Sequence, residues 1–210
     1  MSADTRVHVE KQKPRYLDDT DLKAFLATLP GTQIRDSIKD LLLLQLLTAS
    51  RKGEVCEMEW SEVDLDEGVW TLPGSKAKNK QQHRVMLSDQ AQKIIEAQPR
   101  INEFVFATKK TLGHIRGDTV NEALSRRIGD FKIKPFTPHA LRHTALTGLS
   151  RLGCNREIQN RISNHKDSTI GGLYDQNPRD DEAREWLQKW ADHLDSLTED
   201  NVIPMGERRG

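Results

Sequence analysis

The sequence predicts a mainly α-helical fold with one small antiparallel β-sheet, an α+β class. Apolar residues recur at helical spacing in several segments, whereas alternating runs of strand type are confined to residues 63–88. A chain of 210 residues can also bury a substantial core within one large domain. We therefore expect one main helical domain that carries a short strand region.

The N-terminal part of the chain is predicted to be a linker followed by two helices. Residues 1–15 are polar and without periodicity, and they are predicted to form a linker. Asp19 or Thr20 is predicted to cap a short helix through "DLKAFLATL", which the following Pro-Gly pair ends. The next segment, "IKDLLLLQLLTAS", is apolar on nearly all sides and predicts a helix at the centre of the core, with Arg51 at its C-terminal end.

A strand region and a second set of helices follow. After a helical turn in "GEVCEMEW", the runs "VDLDEGVWTLPGS" and "HRVMLS" predict a sheet of about three strands. Between the last two strands lies "SKAKNKQQ", a polar hairpin tip or loop with three lysines. Helical patterns resume in "DQAQKIIEAQ", "DTVNEALSRRIG", "HALRHTALTGLSRLG" and "REIQNRIS".

The charge distribution is uneven although the net charge is zero. Residues 109–166 contain 12 Lys and Arg against 4 Asp and Glu, and residues 175–200 contain 3 against 9. A basic middle could form a phosphate-binding face, although two ordinary solvated faces would give the same counts. There is no apolar run of membrane-spanning length and no secretory signal, and the two cysteines suggest neither a disulfide framework nor a zinc site. A cytoplasmic protein is expected.

The segment "HALRHTALTGLSRL" holds the residues best suited to chemistry. On a helix, Leu141, Ala145, Leu149 and Leu152 would form the apolar stripe that faces the core. Three polar side chains would lie together on another flank of this helix: His139, Arg142 and His143. Arginine grips a phosphate with two parallel donors and histidine adds another, so this flank predicts an anion site.

Two other roles for these histidines have to be weighed. The i, i+4 spacing of His139 and His143 is that of zinc-binding helices, but Ala140 stands where such motifs carry a glutamate, and Arg142 would repel a cation. Alternatively, one of the histidines, His143 more than His139, could be a buried and hydrogen-bonded structural group. No metal is predicted.

The order of these motifs resembles the catalytic domain of tyrosine recombinases, and within them the phage and genomic-island integrases. The resemblance rests on "TASRKGEV", a lysine in a hairpin, "HALRHT", "NH" and "YD", and it covers about residues 15–197. It implies that Arg51 and Arg142 hold the non-bridging oxygens of a scissile phosphate, where preorganised cations stabilise a transition state that gains negative charge. His139 and His165 take the positions of two further phosphate ligands, and His139 is a candidate acceptor of a proton.

The resemblance assigns the nucleophile to Tyr174. A phenol with a pKa of about 10 needs a base or a strong positive field to attack at neutral pH, and the arginines and histidines would supply both. Attack would give a 3′-phosphotyrosyl link and a free 5′ hydroxyl, with no need for ATP, a metal or another cofactor. Gly171 and Gly172 would let the backbone move Tyr174 between engaged and withdrawn positions.

Three lysines compete for the role of general acid toward the leaving 5′ oxygen. The family pattern places this lysine nine residues before the end of the next strand, and counting back from Leu87 gives Lys78. Lys76 and Lys80 are then predicted to contact backbone phosphates, or else to be solvated. Glu54 is expected to orient an arginine or histidine of the site, with a surface acid as its alternative, and His143 is expected to support the site.

The chain departs from the family pattern without touching a proposed catalytic atom. His83 and Met86 stand where the pattern has arginine and proline. Two dipeptides also differ, Ala49-Ser50 before Arg51 and Ser163-Asn164 before His165. These departures bear on the fine positioning of the site.

The domain boundaries follow from the same resemblance. We expect a catalytic domain over residues 16–179, an amphipathic helix of the same domain over 180–198 and a tail over 199–210, with the N-terminal core-binding domain of such enzymes absent. The helix "DEAREWLQKWADHLDSL" could pack on its own domain or dock on a neighbouring protomer. Its apolar stripe comprises Ala183, Trp186, Leu187, Trp190, Ala191, Leu194 and Leu197.

The predicted function is site-specific recombination of DNA during integration or excision of a mobile element. The expected partners are a double-stranded attachment site, further copies of the chain in a tetrameric synapse on DNA, and accessory DNA-bending or excisionase proteins; without DNA the chain is expected to be monomeric or weakly associated. The alternatives are a type IB topoisomerase with the same chemistry and a non-enzymatic DNA-binding regulator. A metal-dependent nuclease is disfavoured because the sequence has no matching carboxylate cluster.

Overall fold

A computed structural model of the chain describes residues 15–108, 113–165 and 179–199, and it confirms a mainly helical fold with small antiparallel sheets. The helices are α1 (Asp19–Thr28), α2 (Asp36–Thr48), α3 (Lys52–Cys56), α4 (Asp89–Glu96), α5 (Gly117–Arg127), α6 (Pro138–Arg151), α7 (Arg156–Ser163) and α8 (Asp180–Glu199). The strands are β1 (Val63–Asp64), β2 (Val69–Leu72), β3 (His83–Met86), β4 (Ala107–Thr108) and β5 (Gly113–His114).

Helix α2 is the centre of the core, as its apolar circumference predicts. It packs against α3, α4, α6 and α8, and leucines on all its sides are buried. The helix stops at Ala49, which adopts the left-handed conformation with φ of 53°. This abrupt turn places Arg51 three residues beyond the helix, directly before α3.

The main sheet has the order β1-β2-β3 with both pairs antiparallel, so the prediction of about three strands is confirmed. Trp70 of the central strand is opposite Val63 on one side and Val85 on the other. A second pair, β4 and β5, was not predicted. Each of its strands has two residues, too few to show an alternating pattern.

Two details of the predicted helices are wrong. Asp18, not Asp19 or Thr20, caps α1, because its carboxylate accepts a 2.9 Å hydrogen bond from the backbone N–H of Asp21. Leu152 lies just after α6 and is among the exposed large apolar side chains, so the buried stripe of that helix ends at Leu149.

Helix α8 packs on its own domain. The indole N–H of Trp190 donates a 2.9 Å hydrogen bond to the carbonyl oxygen of Leu46. A Cβ at Gly148 would lie 2.2 Å from the Trp190 ring, so only glycine allows α6 and α8 to approach this closely. In this single chain, α8 is therefore packed on its own domain, and docking on a neighbouring protomer stays a prediction.

The described residues contain no helix that is both long and apolar enough to cross a membrane.

Candidate active site

Arg142 of α6 lies at the centre of the candidate site and is only 4% exposed. Its guanidinium donates 2.6 Å hydrogen bonds to the carbonyl oxygens of Ala49 and Ser163, which lie at the ends of α2 and α7. Burial, and then the charge of Arg51, lower the pKa of Arg142 to about 10, so it stays protonated at neutral pH. Both hydrogen-bond partners are neutral carbonyls, so they hold the positive charge in place without forming an ion pair.

Arg51 is oriented by Glu54. The two Glu54 oxygens accept hydrogen bonds from Arg51, one from the guanidinium at 2.7 Å and one from the backbone N–H at 2.9 Å. The carboxylate is buried, whereas the Arg51 side chain keeps 26% of its surface exposed. Glu54 is therefore a buried partner that fixes Arg51 at the start of α3, and its alternative as a surface acid is wrong.

The two histidines of α6 contact each other at the rim of the site. Their Nε2 atoms are 3.1 Å apart and their rings are nearly perpendicular, so one nitrogen donates and the other accepts. Burial, followed by the charges of Arg142, Arg51 and Lys78, lowers the pKa of His139. Burial and then His139 and Arg142 lower the pKa of His143. These shifts favour the neutral form of both rings, and the N–H···N bond requires that the accepting ring is neutral. Neither ring is a buried structural histidine.

His165 reaches the same cations from the end of α7. Asn164 ends this helix in the left-handed conformation, with φ of 51°, and the backbone N–H of His165 donates a 3.0 Å bond to Asn160. Burial, and then the charges of Arg142 and Arg51, lower the pKa of His165. The helix terminus thus brings His165 to the two arginines.

The three lysines between β2 and β3 differ sharply. Lys78 is exposed, and its charge is among those that lower the pKa of His139. Lys80 is exposed as well, with a left-handed backbone at φ of 58°. Lys78 is therefore the lysine whose charge acts on the site, and the DNA contact of Lys80 stays a prediction.

Lys76 requires a correction. Its ammonium group binds the carboxylates of Glu59, at 2.7 Å, and Glu62, and it donates a 2.8 Å bond to the carbonyl of Glu57. Burial alone would lower the pKa of Lys76, but the hydrogen bonds to the two carboxylates outweigh it and raise the pKa. A lysine held this way forms structural ion pairs, so the predicted contact of Lys76 with a DNA phosphate is wrong.

Sequence reasoning missed the layer that supports the site. His83 is buried beneath α7, where its Nδ1 accepts a 2.9 Å bond from Arg161 and its Nε2 contacts the Ile162 carbonyl at 3.3 Å. Burial, and then the charge of Arg161, lower the pKa of His83 to about 3. The sequence did show that His83 stands where the family pattern has an arginine. Its partner Arg161 could not be predicted, because it is 78 residues away in the sequence.

The last predicted residues are the nucleophile and the two glycines before it. Tyr174, Gly171 and Gly172 lie outside the described residues. Within the described ranges, no three His, Cys, Asp or Glu side chains are grouped as metal ligands.

The site therefore draws Arg51, Arg142, His139, His165 and Lys78 from four different parts of the chain. The model of the phage integrase family matches residues 15–181. The chain belongs to this family. The sequence is 28% identical over 200 residues to the prophage integrase IntA of Escherichia coli K12, covering 92% of this chain and 47% of that protein. The chain thus spans about half the length of this relative.

Solved integrase structures share the fold. An integrase from mycobacterium phage Brujita superposes with a TM-score of 0.70 at 19% identity, covering 90% of this chain and 64% of that one. A fragment of lambda integrase, solved as a dimer bound to a COC′ core site, gives a TM-score of 0.63 at 17% identity and covers 79% and 63%. These similarities confirm the tyrosine recombinase catalytic-domain fold that the sequence motifs predict.

Proposed function

We propose that this chain is the catalytic domain of a site-specific DNA recombinase that cleaves and rejoins strands through Tyr174. The observation that carries the proposal is a cationic patch in which Arg142, bonded to the ends of α2 and α7, and Arg51 both act on His139 and His165, with Lys78 acting on His139. Such a patch matches a phosphodiester that gains negative charge in its transition state. Family membership supports this reading.

The cations would hold the phosphate. Arg142 and Arg51 would donate to the two non-bridging oxygens, because their guanidinium groups are fixed by carbonyls and by Glu54 before DNA arrives. Preorganised donors cost no rearrangement at the moment of reaction. His165 would add a third donor from the end of α7.

The proton transfers would pass through His139 and Lys78. The Tyr174 oxygen forms a bond to phosphorus while its proton passes to neutral His139, whose lowered pKa keeps it available as an acceptor at pH 7. The bond between phosphorus and the 5′ oxygen breaks, and Lys78 gives its proton to that oxygen. The 3′-phosphotyrosyl link conserves the phosphodiester, so the reverse steps join a new strand.

The wider assembly belongs to the same proposal. We propose that the substrate is a double-stranded attachment site in the cytoplasm of a bacterial cell, and that several copies assemble on it as a tetrameric synapse. Accessory DNA-bending or excisionase proteins would set the direction. The dimeric lambda integrase fragment on its core site supports assembly on DNA.

Covalent capture tests the proposal. The protein is incubated in EDTA with a pool of nicked duplexes of randomised sequence, and SDS-stable protein–DNA complexes are isolated and sequenced. We expect a covalent complex through the 3′ phosphate, enriched for one sequence. Tyr174→Phe should abolish it, whereas Tyr16→Phe, a change at the only other tyrosine, should not.

Two results would contradict the proposal: no covalent complex from the wild-type protein, or one that survives in Tyr174→Phe. A partner strand with a 5′ hydroxyl distinguishes recombination from relaxation. Joining to that strand is expected, whereas relaxation of supercoiled DNA without joining would favour a type IB topoisomerase.

A further inference from the structure

The segment between β2 and β3, which we name the lysine loop (residues 73–82), folds back on itself. The backbone N–H groups of Lys76 and Ala77 both donate to the carbonyl of Pro73, at 3.0 and 3.1 Å, and that of Lys80 donates to Ala77 at 2.9 Å. These bonds make two successive turns. The loop is therefore a compact structure and not an extended hairpin tip.

The two arms of the lysine loop are pressed together at Gly74. A Cβ at this position would lie 2.8 Å from the Lys80 carbonyl oxygen and 3.3 Å from the Gln81 carbonyl carbon. Both are backbone atoms, which cannot swing aside as a side chain can. Any larger residue at position 74 would push the second arm outward, so the sequence selects the closed loop.

Side chains on both sides of Lys78 anchor the loop to the domain. Lys76 is held by Glu59 and Glu62, and Ala77 is buried in the core at 5% exposure. On the other side, Asn79 contacts Asn164 at the end of α7. Lys78 lies between these anchors with its own side chain exposed.

The contact between Asn79 and Asn164 links the lysine loop to the histidine at the end of α7. The Asn79 side-chain amide donates a 2.6 Å hydrogen bond to the Asn164 side-chain oxygen, and 3.4 Å separates the second amide–oxygen pair. The Asn79 oxygen also accepts a 3.1 Å bond from the Gln81 backbone, which fixes the turn. His165 follows Asn164 directly, so the contact between Asn79 and Asn164 connects the neighbours of two predicted catalytic residues.

We propose that Asn79 is a positioning residue that holds the lysine loop against the end of α7, and so sets Lys78 at the scissile phosphate before DNA binds. The proposal rests on the proposed function, in which Lys78 protonates the leaving 5′ oxygen. Because a general acid acts only within hydrogen-bond reach of that oxygen, a displaced loop slows proton delivery without removing the lysine. Asn79 itself touches neither substrate nor reacting atoms.

A substrate with sulfur in place of the bridging 5′ oxygen tests this inference. Sulfur leaves as a thiolate without a proton, so a defect in proton delivery disappears on this substrate. Single-turnover cleavage of the captured sequence is measured with both leaving atoms. We expect Asn79→Ala to slow cleavage of the oxygen substrate about 10- to 100-fold. Its rate on the sulfur substrate should stay near that of the wild-type protein.

Two further variants calibrate the result. Gln81→Ala changes an exposed side chain two residues away in the same loop, and both of its rates should be normal. Lys78→Ala should lose roughly 10²- to 10⁴-fold on oxygen and recover on sulfur. If Lys78→Ala does not recover, the general acid of the proposed function is wrong; if it recovers and Asn79→Ala does not, only the positioning role is wrong.

Asn164→Gly offers an independent route should Asn79→Ala fold poorly. Glycine suits the left-handed backbone at this position while the side-chain acceptor is lost. We expect a selective loss on the oxygen substrate. A double variant should be no slower than Asn79→Ala alone, because the side-chain bonds that Asn164→Gly removes are among those that Asn79→Ala removes. Equal losses on both substrates, or additive losses, would overturn the inference.

Discussion

Two arginines on neighbouring helices show how the same side chain is used in opposite ways. Arg142 of α6 donates to two neutral carbonyls, whereas Arg161 of α7 binds the carboxylate of Asp180 and donates to His83 and to the Arg84 carbonyl. Both guanidinium groups are largely shielded from water. Within the described residues, Asp180 neutralises the charge of Arg161, whereas the hydrogen-bond partners of Arg142 are neutral carbonyls.

This difference in partners indicates a structural role for Arg161 and a substrate-binding role for Arg142. A shielded charge is tolerated only if it is paired or hydrogen-bonded, and pairing consumes the field that a phosphate would feel. Asp180 opens α8, so its bonds to Arg161 and Arg84 fasten that helix to α7 and β3. In the part of the chain that the structure describes, Arg142 is fixed by two backbone carbonyls, which leaves its charge for an anionic substrate.

The largest expected effect is the loss of Arg142. Arg142→Gln should reduce the rate of single-turnover DNA cleavage by at least about 10³-fold, because a preorganised cation at the phosphate is removed. The exposed Arg151 on the same helix, which pairs with Asp19, provides the control. Arg151→Gln should keep its rate within a few-fold of wild type, and an equal loss in both variants would contradict the distinction.

Breaking the neutralised pair should instead cost stability. Asp180→Asn leaves Arg161 shielded without its carboxylate, and we expect the free energy of unfolding to fall by about 3 kcal/mol in urea denaturation. Glu157→Gln breaks the exposed pair with Arg179 and should cost less than about 1 kcal/mol. Similar losses in the two variants would show that Asp180 has no special role.

The neutral state of His83 predicts a pH dependence of stability. Its folded pKa of about 3 lies below the ordinary 6.5, so the unfolded chain binds a proton that the folded chain does not as the pH falls below 6.5. Stability should therefore be complete above pH 6.5 and decline below it, by up to about 1.4 kcal/mol per pH unit from this group. His83→Gln should have a shallower slope between pH 6.5 and 5, and an unchanged slope would contradict a neutral buried histidine.

The smallest expected effect is a difference in stability between variants of two lysines in the lysine loop. Lys76→Ala removes the partner of Glu59 and Glu62 and should lower the free energy of unfolding by about 1–2 kcal/mol. Lys78→Ala should leave stability unchanged, because this side chain is exposed. Urea denaturation of both variants checks this. A larger loss of stability in Lys78→Ala than in Lys76→Ala would contradict a structural role for Lys76 and favour its contact with DNA.

Much of the fold followed from periodicity, and the missing parts have physical causes. The core position of α2 and the three-stranded sheet were predictable because helical and strand periods are local. The ion pairs of Lys76 were not, since its two carboxylates lie 17 and 14 residues away. The packing of α8 depends on Gly148 and Trp190, whose approach no single segment reveals.

The candidate site shows the same limit. Motif order predicted Arg51, Arg142 and His165, and in the structure the charges of the two arginines act on each other and on His165. What fixes Arg142 is a pair of backbone carbonyls, and a carbonyl is present at every position of every sequence. The catalytic roles themselves stay proposals.

The most direct test of the central claim replaces one non-bridging oxygen of the scissile phosphate with a methyl group. This methylphosphonate carries no negative charge, so a cation that stabilises the charge of the phosphate contributes less to the cleavage rate. Cleavage by wild type and Arg142→Ala is compared on both substrates. The account predicts that the rate ratio of wild type to Arg142→Ala is at least about tenfold smaller on one methylphosphonate stereoisomer than on the phosphodiester. An equal deficit on the phosphodiester and on both stereoisomers would show that Arg142 serves the fold and not the phosphate.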